Sequence, residues 1–275
     1  MKIQYLGTAA AEGWPGIFCN CDICKKASTI KGKNIRTRSQ ALIDDKILID
    51  FPPDTYAHML QYDLKIPSIK TLIVTHSHQD HWYPEDLMFR GEGCAGNIDG
   101  ILDIYGNDKI YERLKETQKF VGEVMTERAQ IKYHQIQEFC IYAVQGYEII
   151  PLKALHNRSE NCYIYIIKNG DKTLLYANDT GYFPEETWEF IKDFQFDLVS
   201  MDCTMQKYKE GTNHMGIEDN VEVVERLKNM GCVTKNTKYV ITHFSHNGGM
   251  LHEDIEKEVE KYGFCAAYDG YSIEF

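Results

Sequence analysis

Four side chains able to ligate a metal fall within six residues at His76-Ser77-His78-Gln79-Asp80-His81, directly after the apolar run Thr71 to Thr75. Imidazole and carboxylate suit zinc, iron or manganese, and loop residues two apart can converge on one ion while their neighbours reach another. At this chain's own His and Asp frequencies, a chance His-x-His-x-Asp-His match is on the order of one in a thousand. The alternative is a solvated polar loop with idle histidines. Against it stand three isolated residues that each follow an apolar, strand-like run: His156 after Ile149 to Leu155, Asp179 after Leu174 to Ala177, and His243 after Tyr239 to Thr242. Open sheets place their sites at such strand ends.

A second cluster, Cys19-Asn20-Cys21-Asp22-Ile23-Cys24, puts three thiols within six residues. Cys-x-x-Cys can be redox-active, but a third cysteine favours a metal, and tetrahedral zinc needs a fourth ligand. Between Asp179 and His243, another histidine opens a helical pattern at Asn213-His214-Met215-Gly216, and Asp202 ends the strand-like run before it. Its competing reading is a helix-capping or core histidine.

These motifs, in this order, resemble the metallo-β-lactamase superfamily over nearly the whole chain. The resemblance implies an αββα four-layer sandwich of two mixed β-sheets flanked by helices, an α+β fold within the broader α/β class. It also implies two divalent ions, Zn or Mn or Fe, with His76, His78 and His156 on one, Asp80, His81 and His243 on the other, and Asp179 bridging. Two cations close together lower the pKa of a shared water and stabilise charge on the oxygen under attack, so hydrolysis is the expected reaction.

His214 resembles the extra histidine of the phosphodiesterase branch, which includes ribonuclease Z and phosphoribosyl cyclic phosphate phosphodiesterase. There it would contact the phosphate or protonate the leaving oxygen, with Asp202 orienting it. The expected catalytic residues are thus Asp80, His214 and Asp202. The cysteine cluster resembles the structural zinc site of the same branch and of the pyrroloquinoline quinone pathway protein. That resemblance assigns His246, three residues past His243, as the fourth ligand beside Cys19, Cys21 and Cys24, with His252 competing. The small-residue loop Gly7 to Gly13 also resembles this branch. The expected substrate is a small cyclic phosphate or nucleotide-like phosphodiester. The alternatives are a ribonuclease Z-like nuclease and a non-hydrolytic cofactor-biosynthesis protein. Where the superfamily motif continues with small residues, this chain has Trp82-Tyr83, whose rings would either line the pocket or pack in the core.

The elements that must position these residues are short. Strand-like runs cover Lys2 to Gly7, Gln40 to Asp44, Lys46 to Asp50, Lys70 to Thr75, Ile101 to Tyr105, Tyr163 to Lys168, Thr173 to Ala177, Asp197 to Asp202 and Tyr239 to Thr242. Asn169-Gly170 reads as a tight hairpin turn. Helical spacing appears at Pro184 to Phe194, Ile217 to Met230 and Glu253 to Tyr262. With no linker-like tract in 275 residues, a single domain spanning 1–275 is expected, carrying a zinc-binding cysteine loop at about 19–24.

The formal net charge of -11 disfavours a polyanionic partner, so nucleic acid is not an expected substrate. No apolar run reaches a membrane span, and the first residues lack a signal peptide's features; a cytoplasmic protein, monomeric or homodimeric, is expected. Among the nine cysteines, Cys94, Cys140, Cys162, Cys203, Cys232 and Cys265 read as core residues. His58 and His134 read as structural or surface residues, and Arg90 as a surface arginine.

Overall fold

The computed structural model describes residues 1–91, 93–122 and 128–275. Its first-half strands are β1 (Lys2–Gly7), β2 (Gln40–Ile43), β3 (Ile47–Ile49), β4 (Thr71–Ile73), β5 (Leu102–Gly106) and β6 (Ile131–Gln135). The second half supplies β7 (Tyr142–Val144), β8 (Tyr147–Lys153), β9 (Tyr163–Asn169), β10 (Lys172–Ala177), β11 (Phe196–Asp202), β12 (Val233–Thr242), β13 (Phe264–Ala266) and β14 (Ser272–Glu274). The helices are α1 (Asp22–Ile30), α2 (Thr55–Tyr62), α3 (Asp108–Val121), α4 (Glu185–Ile191), α5 (Ile217–Asn229) and α6 (His252–Val259).

Two seven-stranded sheets result, ordered β14-β1-β2-β3-β4-β5-β6 and β13-β12-β11-β10-β9-β8-β7. Each is antiparallel over one half and parallel over the other: β3 to β6 and β10 to β13 run parallel. The Asn169-Gly170 hairpin forms as expected, with Asn169 opposite Lys172.

Side-chain alternation builds the layers. In β10, Leu174 and Tyr176 enter the core between the sheets, where they join Ile3, Ile43, Ile49 and Val240. Leu175 and Ala177 point the other way, into a cluster with Trp188 of α4, Leu227 of α5 and Ile255 of α6. In the first sheet, Leu42, Leu48 and Leu72 face outward against Ile110 and Leu114 of α3. Burying each such side chain contributes roughly 1.5–3 kcal/mol, and strands apolar on both faces must lie between two covering layers. The outcome is the αββα sandwich. No helix among the described residues is long and apolar enough to cross a membrane.

Several local readings change. Trp82 is buried in the outer core of the first sheet and donates from its ring nitrogen to the Ile110 carbonyl, so it packs rather than lining a pocket. Cys94, Cys140 and Cys265 are exposed rather than core residues, whereas Cys162, Cys203 and Cys232 are buried. Cys24 lies in the first turn of α1 and not in a loop. His58 is fully buried, between Gln40 and Thr37. Arg90 donates to the carbonyls of Ala129, Gln130 and Gly100, which ties a surface loop together.

Candidate metal centre

The ends of several strands deliver the chemistry to one place. Beyond β4 come His76, His78, Asp80 and His81; beyond β8, His156; beyond β10, Asp179; beyond β12, His243. Asp179 and His243 hold left-handed backbone angles, with φ of 57° and 63°, as does Asp50 after β3 at 64°. Non-glycine residues adopt such angles only when the surrounding structure imposes them, and they cluster at functional sites.

Three donor sets share Asp179: His76, His78, His156 and Asp179; Asp80, His81, Asp179 and His243; and Asp179, Asp202, His214 and His243. Within each set the ligand atoms lie within 4.8 Å of one another. His76 Nε2 is 2.9 Å from His78 Nδ1, and His156 Nε2 is 3.1 Å from the same atom. His81 Nε2 is 3.0 Å from Asp179 Oδ2, 3.2 Å from Asp80 Oδ2 and 3.3 Å from His243 Nε2.

The donor set fits divalent cations on three counts. Ring nitrogens crowd at hydrogen-bond distance around carboxylates, and buried Asp179 Oδ1 accepts no hydrogen bond among the described residues, although His214 Nδ1 lies 3.2 Å and His156 Nδ1 3.4 Å from it. A buried, unsatisfied carboxylate oxygen is costly without a positive partner. Burial holds His76 and His78 below the ordinary histidine pKa, keeping them neutral as ligands must be. Burial also opposes charge on His81, yet Asp80 and Asp50 outweigh it and pull its pKa up, which marks a position that demands positive charge.

The outer ring nitrogens are held from behind. His81 Nδ1 lies 2.7 Å from Asp50 Oδ2. Thr75 Oγ1 donates to Asp50 Oδ1 at 2.9 Å and lies 3.0 Å from His76 Nδ1. The arrangement repeats across the site: Thr204 Oγ1 donates to Asp202 Oδ2 at 2.8 Å and lies 2.8 Å from His243 Nδ1. Glu160 accepts from the amide and hydroxyl of Ser77, fixing the loop that carries His76 and His78. Such partners set tautomer and ring orientation.

Sequence reading missed Asp50, Thr75, Thr204 and Glu160. A carboxylate ending a strand carries no mark of its own, and Glu160 meets Ser77 from 83 residues away.

His214 joins the same cavity. Its Nδ1 lies 3.2 Å from Asp202 Oδ2, its ring is 5.0 Å from that of His156, and its side chain is one-fifth exposed. Burial pulls its pKa down, but Asp202, then Asp179 and Glu210, outweigh that and hold it up at about 9. The loop before α5 is tight, because a Cβ on Gly216 would sit 2.0 Å from the Tyr208 carbonyl oxygen. Asp202 also accepts from Thr204 and Met215 amides, so it braces both sides of that loop.

The cysteines form a separate group. Cys19, Cys21, Cys24 and His246 converge, with His246 Nδ1 3.7 Å from Cys19 Sγ and 3.6 Å from Cys21 Sγ. A thiol set with one imidazole fits tetrahedral zinc. His252 lies elsewhere: it is buried against Arg36, 2.8 Å from its guanidinium.

Comparison with known proteins agrees with this geometry. The profile of the Beta-lactamase superfamily domain matches residues 45–244, which take in all seven His/Asp positions. The chain belongs to the metallo-β-lactamase superfamily. Over its full length it is 25% identical to Coenzyme PQQ synthesis protein B of Acinetobacter baumannii (strain ACICU), itself covered in full. It is 23% identical to Ribonuclease Z of Cyanothece sp. (strain PCC 7425 / ATCC 29141) over 58% of this chain and 44% of that protein. The crystal structure of a diphosphatase from the PhnP family superposes with a TM-score of 0.74 at 24% identity, covering 100% of this chain and 97% of that one. These likenesses share the chain's fold, which implies divalent metal ions at the His/Asp cluster.

Proposed function

We propose that this superfamily member is a dinuclear metal-dependent phosphodiesterase acting on a small phosphodiester. His76, His78 and His156 would hold one ion, Asp80, His81 and His243 the other, and Asp179 would span both. Two divalent ions there, zinc, manganese or iron, would acidify a water and neutralise the phosphoryl oxygens. The cysteine group with His246 would hold a structural zinc.

The observation that carries the reading is His214. Asp202 engages its Nδ1, which favours the protonated ring and leaves Nε2 as the donor. Nε2 has no partner among the described residues, and His214 lines the cavity of about 440 Å³ that contains His78, Asp80, His156, Asp179 and His243. As the water oxygen bonds to phosphorus and the ester P–O bond breaks, Nε2–H delivers a proton to the leaving oxygen. Asp202 positions the ring and stabilises its charge. Thioesterase chemistry, with its easily expelled thiolate, gives such a group little to do.

A nuclease fits less well, because no lysine or arginine is among the described residues lining this cavity and the chain carries a net charge of -11. The full-length likeness to Coenzyme PQQ synthesis protein B favours a second reading, a cofactor-pathway role at the same site. Zinc- or manganese-reconstituted protein should hydrolyse bis(p-nitrophenyl) phosphate in preference to a thioester or a β-lactam. Hydrolysis of the thioester or lactam instead, or of none of the three, would overturn the phosphodiesterase reading.

A further inference from the structure

Beside the His/Asp cluster the same cavity is lined by one further carboxylate and two amides, with no lysine or arginine among the described lining residues. Ala10, Ala11 and Glu12 come from the loop after β1, Ser245 and Asn247 from the loop after β12, and Asn213 from the loop before α5. Glu12 is anchored: its Oε1 accepts from Ser245 Oγ at 2.5 Å and lies 3.6 Å from His246 Nε2. Its Oε2 has no hydrogen-bond partner among the described residues, and the same is true of the side-chain amides of Asn213 and Asn247, which bond only through their backbones. Arg38, which donates to the Ala11 carbonyl, is neutralised by Asp54 at 3.1 Å.

This combination has a chemical meaning. A fixed carboxylate oxygen accepts hydroxyl hydrogens, and two free amides both donate and accept, which is the equipment that reads a polyhydroxyl group. A second phosphate or a carboxylate on the substrate would face Glu12 with no lysine or arginine in the described lining to offset the repulsion. Like charges brought together in a partly enclosed site weaken the binding of one substrate relative to another.

We propose that the substrate is a phosphodiester whose non-leaving arm is a neutral vicinal diol or sugar with no second anionic group, and that Glu12 is the residue that selects it. The proposal rests on the phosphodiesterase reading and narrows its substrate class.

The test uses the metal-reconstituted full chain and three p-nitrophenyl phosphodiesters that share a leaving group. Their other arms are 2,3-dihydroxypropyl, propyl, and propyl ending in a phosphate, with a ribosyl arm to distinguish sugar from simple glycerol. Only turnover that yields the open monoester by phosphorus NMR is counted, because a neighbouring hydroxyl can itself expel p-nitrophenolate as a cyclic phosphate forms. kcat/KM should favour the diol over propyl by about 10- to 100-fold, the scale of hydrogen bonds to a charged group, and should fall at least about tenfold for the phosphate-ended arm. Glu12→Gln should bring both ratios toward one, and Asn247→Ala should lower only the diol preference. Equal kcat/KM on all arms, or ratios unchanged in Glu12→Gln, would overturn the proposal while leaving the phosphodiesterase reading intact. Should no arm be hydrolysed, that reading falls, and the matching methylphosphonates still test this one by calorimetry. Diol-arm ligands binding tightest and phosphate-ended ligands weakest would support the proposal, and a flat order would overturn it.

Discussion

Removing the His214 imidazole separates catalysis from structure unusually well, because little else depends on that side chain. His214→Ala leaves Asp202 with three donors, from the Thr204 amide, the Thr204 hydroxyl and the Met215 amide, so that carboxylate is not orphaned. Asp179 loses the ring nitrogen 3.2 Å from its Oδ1 but keeps His76 and His81 beside its Oδ2. The ring is partly exposed and belongs to none of the apolar clusters, so no core packing is lost. The two donor sets assigned to the pair of ions (His76, His78, His156 and Asp179; Asp80, His81, Asp179 and His243) stay complete without it. The expected effect is therefore the loss of one positioned acid: turnover of an alkyl or ribosyl phosphodiester should fall by roughly 10²- to 10⁴-fold, or about 2.7–5.4 kcal/mol. With bis(p-nitrophenyl) phosphate, whose leaving group needs little protonation, the loss should be much smaller. Parallel kinetics on the two substrates, with metal content measured on the same samples, provide the assay. An alkyl-ester rate equal to the parent's, or equal losses on both substrates, would refute the proton-donor role.

Other perturbations follow from the same geometry. Asp50→Asn keeps a residue tolerant of left-handed backbone but removes the charge behind His81; metal affinity should weaken by about 10- to 100-fold in a chelator competition, and an unchanged affinity would remove Asp50 from the site. Cys21 is exposed and contributes little packing, so Cys21→Ser should lower the Tm through lost zinc, an effect that a strong chelator reproduces in the parent; a mutant that melts like the parent and retains zinc would contradict a structural metal. Burial pushes His58 from 6.5 down to about 4, so the unfolded chain takes up its proton first. Its stabilising contribution is complete above pH 6.5 and is lost as pH falls toward 4, on the order of 1–3 kcal/mol. Urea unfolding of His58→Gln should show a flatter pH dependence across that window, and an identical slope would refute the assignment.

Much of the site was legible in the sequence because the fold writes it locally. Each candidate ligand directly follows an apolar strand, and the four in His76 to His81 lie side by side. Their backing was not legible. Asp50 looks like any strand-end aspartate until its left-handed backbone turns it toward His81, and Thr204 reveals its place only when β11 and β12 lie together. Among the elements, β7, β13 and β14 are three residues each and lack the longer apolar run that marks the equally short β3 and β4. α1 was hidden by its cysteines, which read as a metal loop, and it lacks a side-chain cap to announce it. α3 does have such a cap, Asn107 accepting from the Ile110 amide, and its pattern went unread. Trp82 follows the ligand motif closely enough to suggest a pocket wall, but the chain turns there and a large apolar ring is better buried.

The central claim, two ions sharing Asp179 beside a separate thiol-bound zinc, is tested most directly by elemental analysis of protein reconstituted to saturation and freed of excess metal. The account predicts three equivalents per chain, falling to two in Cys21→Ser and to fewer than three in Asp179→Ala, with the thiol-bound zinc retained in the latter. A single equivalent in the parent, or full occupancy in Asp179→Ala, would contradict it.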